Sequence, residues 1–145
     1  MDPLSCLAIA GAVVQFVDFG TKIIVECKSI YKSGESSIRK QAMEATNDLQ
    51  DFSAKFEQSL HENLDRGCLT EDELALKTLC GKCKKLADEL VEKLNTLAVQ
   101  DKKRVWKNLE TALASVWSRK EIEETKERLN EYRRAIDTRM IGLMG

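Results

Sequence analysis

Residues 1–20, MDPLSCLAIAGAVVQFVDFG, carry no charge between Pro3 and Val17. So long an apolar run is a secretion signal, a membrane span or the start of a hydrophobic core. A secretory signal needs a basic region ahead of its apolar stretch, and here the one side-chain charge ahead of it is the acid Asp2. A resting membrane span wants about 20 consecutive apolar residues, and Asp18 and Lys22 interrupt this run. The physics favours a buried helix. Asp2 suits the N-cap, and Pro3 suits the first helical position, where its missing N–H costs nothing.

At about 100° per residue, Ile9, Val13, Phe16, Phe19, Ile23, Ile24, Cys27 and Ile30 share one broad face. Gln15, Asp18, Lys22, Glu26 and Ser29 take the other. Leu4, Leu7, Val14 and Val25 fall on this polar side, so the first turns are apolar nearly all round. A helix of that kind normally has a protein partner or a bilayer beside it. These four residues are the candidate membrane or oligomer interface.

The same three-four period continues along the chain. After the break at YKSGESS, it runs through Ile38, Ala42, Ala45, Leu49, Phe52, Phe56 and Leu60. Gly67 marks a stop, and Thr70 with Glu73 forms a capping box for a third helix along Leu76, Leu79, Cys83, Leu86, Leu90, Leu94 and Leu97. A fourth carries Val105, Leu109, Ala112 and Val116, anchored by Trp106, Leu113 and Trp117. Near Ser118 the register shifts, and Ile122, Leu129, Tyr132, Ile136 and Met140 continue a fifth segment. Periodicity alone does not decide whether the chain bends at Ser118 or runs on. Long helices with short connections predict an elongated, antiparallel, all-α bundle of four to five helices in one domain over residues 1–145. Its expected core includes Val13, Phe16, Ile23, Leu49, Phe52, Phe56, Leu86, Leu90, Trp106, Leu113, Trp117 and Leu129.

Charge argues against a nucleic-acid partner. Residues 34–100 hold nine basic against thirteen acidic side chains and residues 101–145 eleven against eight, in a chain of net charge −1. Acids interleave with the bases of the tail, whereas a nucleic-acid footprint is a dense basic stripe. Five cysteines, an odd number without a regular framework, predict reduced thiols in the cytoplasm. The pair in CGKC, Cys80 and Cys83, sits in mid-stripe rather than at a strand-to-helix junction, and reads as buried structural cysteine. A sharper alternative adds His61 and Cys68 as a Cys3His zinc set; its ligand types fit, but its spacing is not that of paired knuckles. His61 has no recognisable nucleophile placed with it, and GESS lacks the lysine of a phosphate loop. The residues predict no enzyme and no cofactor.

The opening MDPLSCLAIAGAVVQFVDFGTKII followed by IYKSG resembles the start of the amino-terminal helical domain of fungal STAND proteins, NLR-like receptors with a NACHT or NB-ARC nucleotide-binding module downstream. DLQDF, the Leu/Cys-rich third helix and ALASVWSRKEIEETKERLNEYR agree in kind. The resemblance spans most of the chain, and its specific part is residues 1–34. It implies a bundle related to HeLo domains, plant coiled-coil receptor domains and the bundle of mixed-lineage kinase domain-like pseudokinases. It further implies immune or cell-death signalling by self-association, with the first helix engaging membrane lipid on activation. The alternative is an adaptor bundle that recruits a downstream effector without membrane action. Lacking a nucleotide-binding module, the chain is expected to be a domain excised from such a receptor, or a stand-alone relative. No catalytic residue carries over.

Overall fold

A computed structural model describes residues 3–26, 38–62, 71–99 and 109–144. Helix α1 spans Pro3–Gly20 and passes directly into a π-helical turn, Thr21–Val25. Then follow α2 (Ile38–Glu62), α3 (Glu71–Val99), α4 (Leu109–Val116) and α5 (Arg119–Met144). The fold is an all-α bundle, and no strand occurs among the described residues. At 1.5 Å per residue, the 25 residues of α2 and the 29 of α3 make rods of about 38 and 44 Å.

Directions follow from which residues meet. The Phe16 ring lies 5.6 Å from that of Phe56, while Phe19, further along α1, meets Phe52, further back on α2, so α1 and α2 run antiparallel. Helices α2 and α3 are antiparallel as well, because Ser53 bonds to Asp88 while Glu57, further along α2, pairs with Lys84, further back on α3. Arg133 of α5 bonds to Asp18 at 2.9 Å, and Arg139 pairs with Asp72 near the start of α3 at 3.1 Å. Helix α5 thus descends against both α1 and α3. These two are the inner, parallel pair; α2 and α5 flank them.

The core follows the stripes. Ile9, Ala10, Val13, Phe16, Val17, Ile23 and Ile24 face inward from α1 and its π turn. Ala42, Ala45, Leu49 and Phe56 meet them from α2, and Leu76 through Leu97 line α3. The buried hydroxyls close on their own helices: Thr46 donates to the Ala42 carbonyl at 2.7 Å, and Thr125 to that of Glu121 at 2.9 Å. Each is thereby satisfied without a partner from another helix.

Two features depart from a simple periodic reading. The first helix does not stay α-helical to its end, because the Glu26 amide donates to the Thr21 carbonyl at 3.0 Å, five residues back. The run TKIIV has four β-branched residues in five positions, which crowd an α-helical turn. The wider turn lets adjacent Ile23 and Ile24 both point into the core. The second feature is at Ser118. Helix α4 stops at Val116, and α5 begins with a reciprocal capping box: the Glu121 amide donates to Ser118 Oγ, and the Ser118 amide to Glu121 Oε2, both at 3.1 Å. The chain breaks there and does not run on as one helix.

Of the start and stop signals, Asp2, Gly67 and Thr70 lie outside the described residues, as do Cys27, Ile30, Val105 and Trp106.

Candidate functional site

The surface of α1 is the place to look for function, since its sequence holds more apolar side chains than one inward face can use. Leu7 is 42% exposed and Val25 44%. Both sit where support runs out: Leu7 near the start of α1, Val25 at the last residue of the π turn. Val14 differs from its expected place on an open face. It is half-buried and packs against the core, because α2, α3 and α5 all flank α1. The side chain of Leu4 lies outside the described residues.

Gly20 lies on the seam between α1 and α5. A Cβ there would lie 2.9 Å from Leu129 Cδ2, tighter than real contacts tolerate, so the missing side chain is what lets the two helices meet. The backbone of Gly20 is ordinary right-handed helix (φ −61°, ψ −40°), so space and not conformation selects glycine. Arg133 to Asp18 closes the seam's polar edge, with both side chains about half exposed.

The expected core residues fall as follows. Val13, Phe16, Ile23, Leu49, Phe56, Leu86, Leu90, Leu113, Trp117 and Leu129 are buried, and Phe52 is half-buried beside them. Periodicity passed over four other exposed apolar side chains: Met43, Leu74, Val99 and Ile141. Leu74 and Ile141 lie at the end of the bundle where α1 starts, because the Asp72–Arg139 pair ties the first turn of α3 to the last turns of α5. Met43 and Val99 lie at the opposite end, with Val25. Their signal in the sequence was phase: Leu74 precedes the stripe that begins at Leu76 by two residues, a step that turns it away from the core.

Cys80 and Cys83 are buried free thiols in the middle of α3. Burial pushes Cys80 up from the ordinary 9.0 to about 11. Burial, and then the neighbouring Cys80, push Cys83 to about 12. Cys80 Sγ approaches the Phe56 carbonyl at 3.7 Å as a weak donor. Metal ligation and nucleophilic attack both need thiolate, which this environment disfavours. Of the alternative zinc set, Cys68 and the side chain of His61 lie outside the described residues, and no group of three or more His, Cys, Asp or Glu able to hold a metal occurs among the described ones.

A polar groove crosses α2 and α3. Ser53 donates to Asp88 Oδ1, and Lys84 reaches Asp88 at 2.8 Å and Glu57 at 3.5 Å. Partial burial works to raise the Asp88 carboxyl, but the hydrogen bonds from Lys84 and Ser53 outweigh it and hold the group below its ordinary value. An ionised carboxylate so engaged fastens two helices together. On the far side, Glu89 to Arg128 does the same between α3 and α5.

Comparison with protein-family models, with curated proteins and with solved structures finds no match to the chain.

Proposed function

We propose that the chain is a non-enzymatic signalling bundle of the kind its opening residues resemble, the amino-terminal domain of fungal NLR-like receptors. In this reading chains self-associate on activation and α1 engages membrane lipid. One observation on α1 carries it. The stretch Leu7–Val25 has a mean hydropathy of 1.6, is long and apolar enough to cross a membrane by length and composition, and is 44% buried inside the bundle. The helix serves as core on one side and keeps apolar side chains at the surface on the other.

The test compares Leu7→Glu, Val25→Glu and Phe16→Glu in thermal melts and in sedimentation with liposomes. Exposed positions tolerate substitution within about 0.5 kcal/mol, so the first two variants should melt like the wild type. They should also bind vesicles less, because a carboxylate opposes entry into lipid. Phe16→Glu should unfold, since Phe16 is wholly buried among the phenylalanines of α2. Folded Leu7→Glu and Val25→Glu that bind vesicles as well as the wild type would remove α1 as the membrane element. A wild type that ignores vesicles but forms a stable complex with a protein partner would establish the adaptor.

A further inference from the structure

Between them, α1 and α2 form an open cleft lined by Phe19, Asp48, Asp51, Phe52 and Lys55. The Phe19 and Phe52 rings stand 5.9 Å apart, inclined at 56°, and form two walls that meet at an angle. Both are half-buried, so each keeps part of its surface open. Asp48 and Asp51 supply negative charge at the rim. One cation already uses the site: Lys55 Nζ lies 5.8 Å from the Phe52 centroid, within the range of a cation–π contact. The cleft volume is about 210 Å³, where on the same measure one water needs about 10–15 Å³.

We infer that this cleft, walled by Phe19 and Phe52 and rimmed by Asp48 and Asp51, is a binding site for a quaternary ammonium group of the choline type. The ring faces carry the negative end of the aromatic quadrupole, and the carboxylates reinforce it. A quaternary ammonium places methyl groups against the rings and sheds little hydration, while its charge is still felt by rings and carboxylates. A primary ammonium is compact and strongly hydrated. The Lys55 side chain is exposed and sits on the ring at the edge of that range, so it is an internal occupant that a better-matched cation displaces. The site stands independently of the membrane reading of α1, since a soluble choline compound and a lipid headgroup present the same group.

The test is a titration of the full chain with tetramethylammonium chloride, followed by amide NMR shifts. Sodium chloride and methylammonium chloride at equal ionic strength are the controls. Saturable shifts at Phe19, Asp48, Asp51, Phe52 and Lys55, absent with both control salts, are expected. Asp51→Asn should weaken binding about fivefold, the ratio that about 1 kcal/mol corresponds to. Phe52→Leu keeps an apolar side chain but removes the quadrupole, and should weaken it as much while the melt shows the bundle folded. Lys55→Met should tighten binding by about threefold, a similar-sized effect of opposite sign. Phosphocholine competing for the same amides would identify a soluble choline compound as sufficient. Retention on phosphatidylcholine but not phosphatidylglycerol vesicles, lost in Asp51→Asn, would identify the lipid headgroup as the source. Shifts that do not saturate, shifts that sodium chloride reproduces, or equal binding by wild type, Asp51→Asn and Phe52→Leu would overturn the assignment.

Discussion

If space at Gly20 is what admits α5, then adding one methyl group there should couple energetically to Leu129 and to nothing else. Gly20→Ala removes the helix-interior penalty of glycine, a gain of about 1 kcal/mol that the right-handed backbone at this position can accept. Against that gain, the new Cβ meets Leu129 Cδ2 at 2.9 Å and Cδ1 at 3.4 Å. Leu129 is 1% exposed and enclosed by the core, so its end cannot swing freely into solvent. Overpacking of this kind costs about 1–3 kcal/mol, so Gly20→Ala should be neutral to about 2 kcal/mol destabilising. Leu129→Ala alone should cost about 2–5 kcal/mol through lost burial and the cavity left behind. In the double variant the clash is gone and the helix gain remains. The combined loss should therefore fall short of additivity by about 0.5–3 kcal/mol, the range for residues in contact. Urea unfolding of the wild type, both single variants and the double variant measures this coupling. Additivity within about 0.5 kcal/mol would refute it, since two residues that do not touch give that result.

Two further outcomes follow from other parts of the fold. Ser118→Ala removes the side-chain half of the capping box that starts α5 and should cost about 0.5–2 kcal/mol in urea unfolding; Ser118→Asp should restore most of it, because Asp is an equally good cap. The thiols of Cys80 and Cys83 should resist a maleimide at neutral pH until the chain is unfolded, as burial holds them protonated. Their values rise from 9.0 in the unfolded chain to about 11 and 12 in the fold, so above pH 9 the unfolded state loses protons first. Their contribution to stability is therefore complete below pH 9 and declines as pH rises through 11 and 12. Replacing both with alanine should flatten that decline in melts taken across the alkaline range.

The helices were legible because their stripes are long and their period is clean. Leu76 to Leu97 in α3 reads as one buried face, and the structure buries it. What periodicity missed has local causes. The π turn goes with a crowded β-branched run, and the close approach at Gly20 involves Leu129, a residue 109 positions further on that no window around α1 contains. The break at Ser118 was open to sequence reading, because Ser118-Arg119-Lys120-Glu121 is a capping box; apolar periodicity registers the phase shift there but not the hydrogen bonds that cause it. The exposure of Val14 was misjudged for a different reason. A helical wheel assigns every position on one side the same fate along the whole length. A helix flanked by three others covers its middle and leaves its ends bare, which is how Leu7 and Val14 part company. The choline-type cleft had no linear signal, since Phe19 and Phe52 come from different helices.

How α1 could act on a membrane is constrained by what holds it in the bundle. Ile9, Val13, Phe16, Val17, Ile23 and Ile24 are all buried. Exposing six such side chains costs roughly 9–18 kcal/mol at about 1.5–3 kcal/mol each. A domain's whole stability is about 5–15 kcal/mol, so α1 cannot leave a resting monomer without unfolding it. The Asp18–Arg133 pair is too small to change this, because half-exposed pairs are worth about 1 kcal/mol or less. Release of α1 must be coupled to an event that buries an equal apolar area, whether in lipid or among copies of the chain. Until then, contact with a membrane is limited to Leu7, Val25 and whatever joins them at the rim. Two partly exposed side chains give a weak, reversible attachment, and a single myristoyl chain, with far more apolar length, binds with only about 10⁴ M⁻¹. In the proposed reading, where association of copies accompanies deep insertion, a chain prevented from associating should touch vesicles without making them leak.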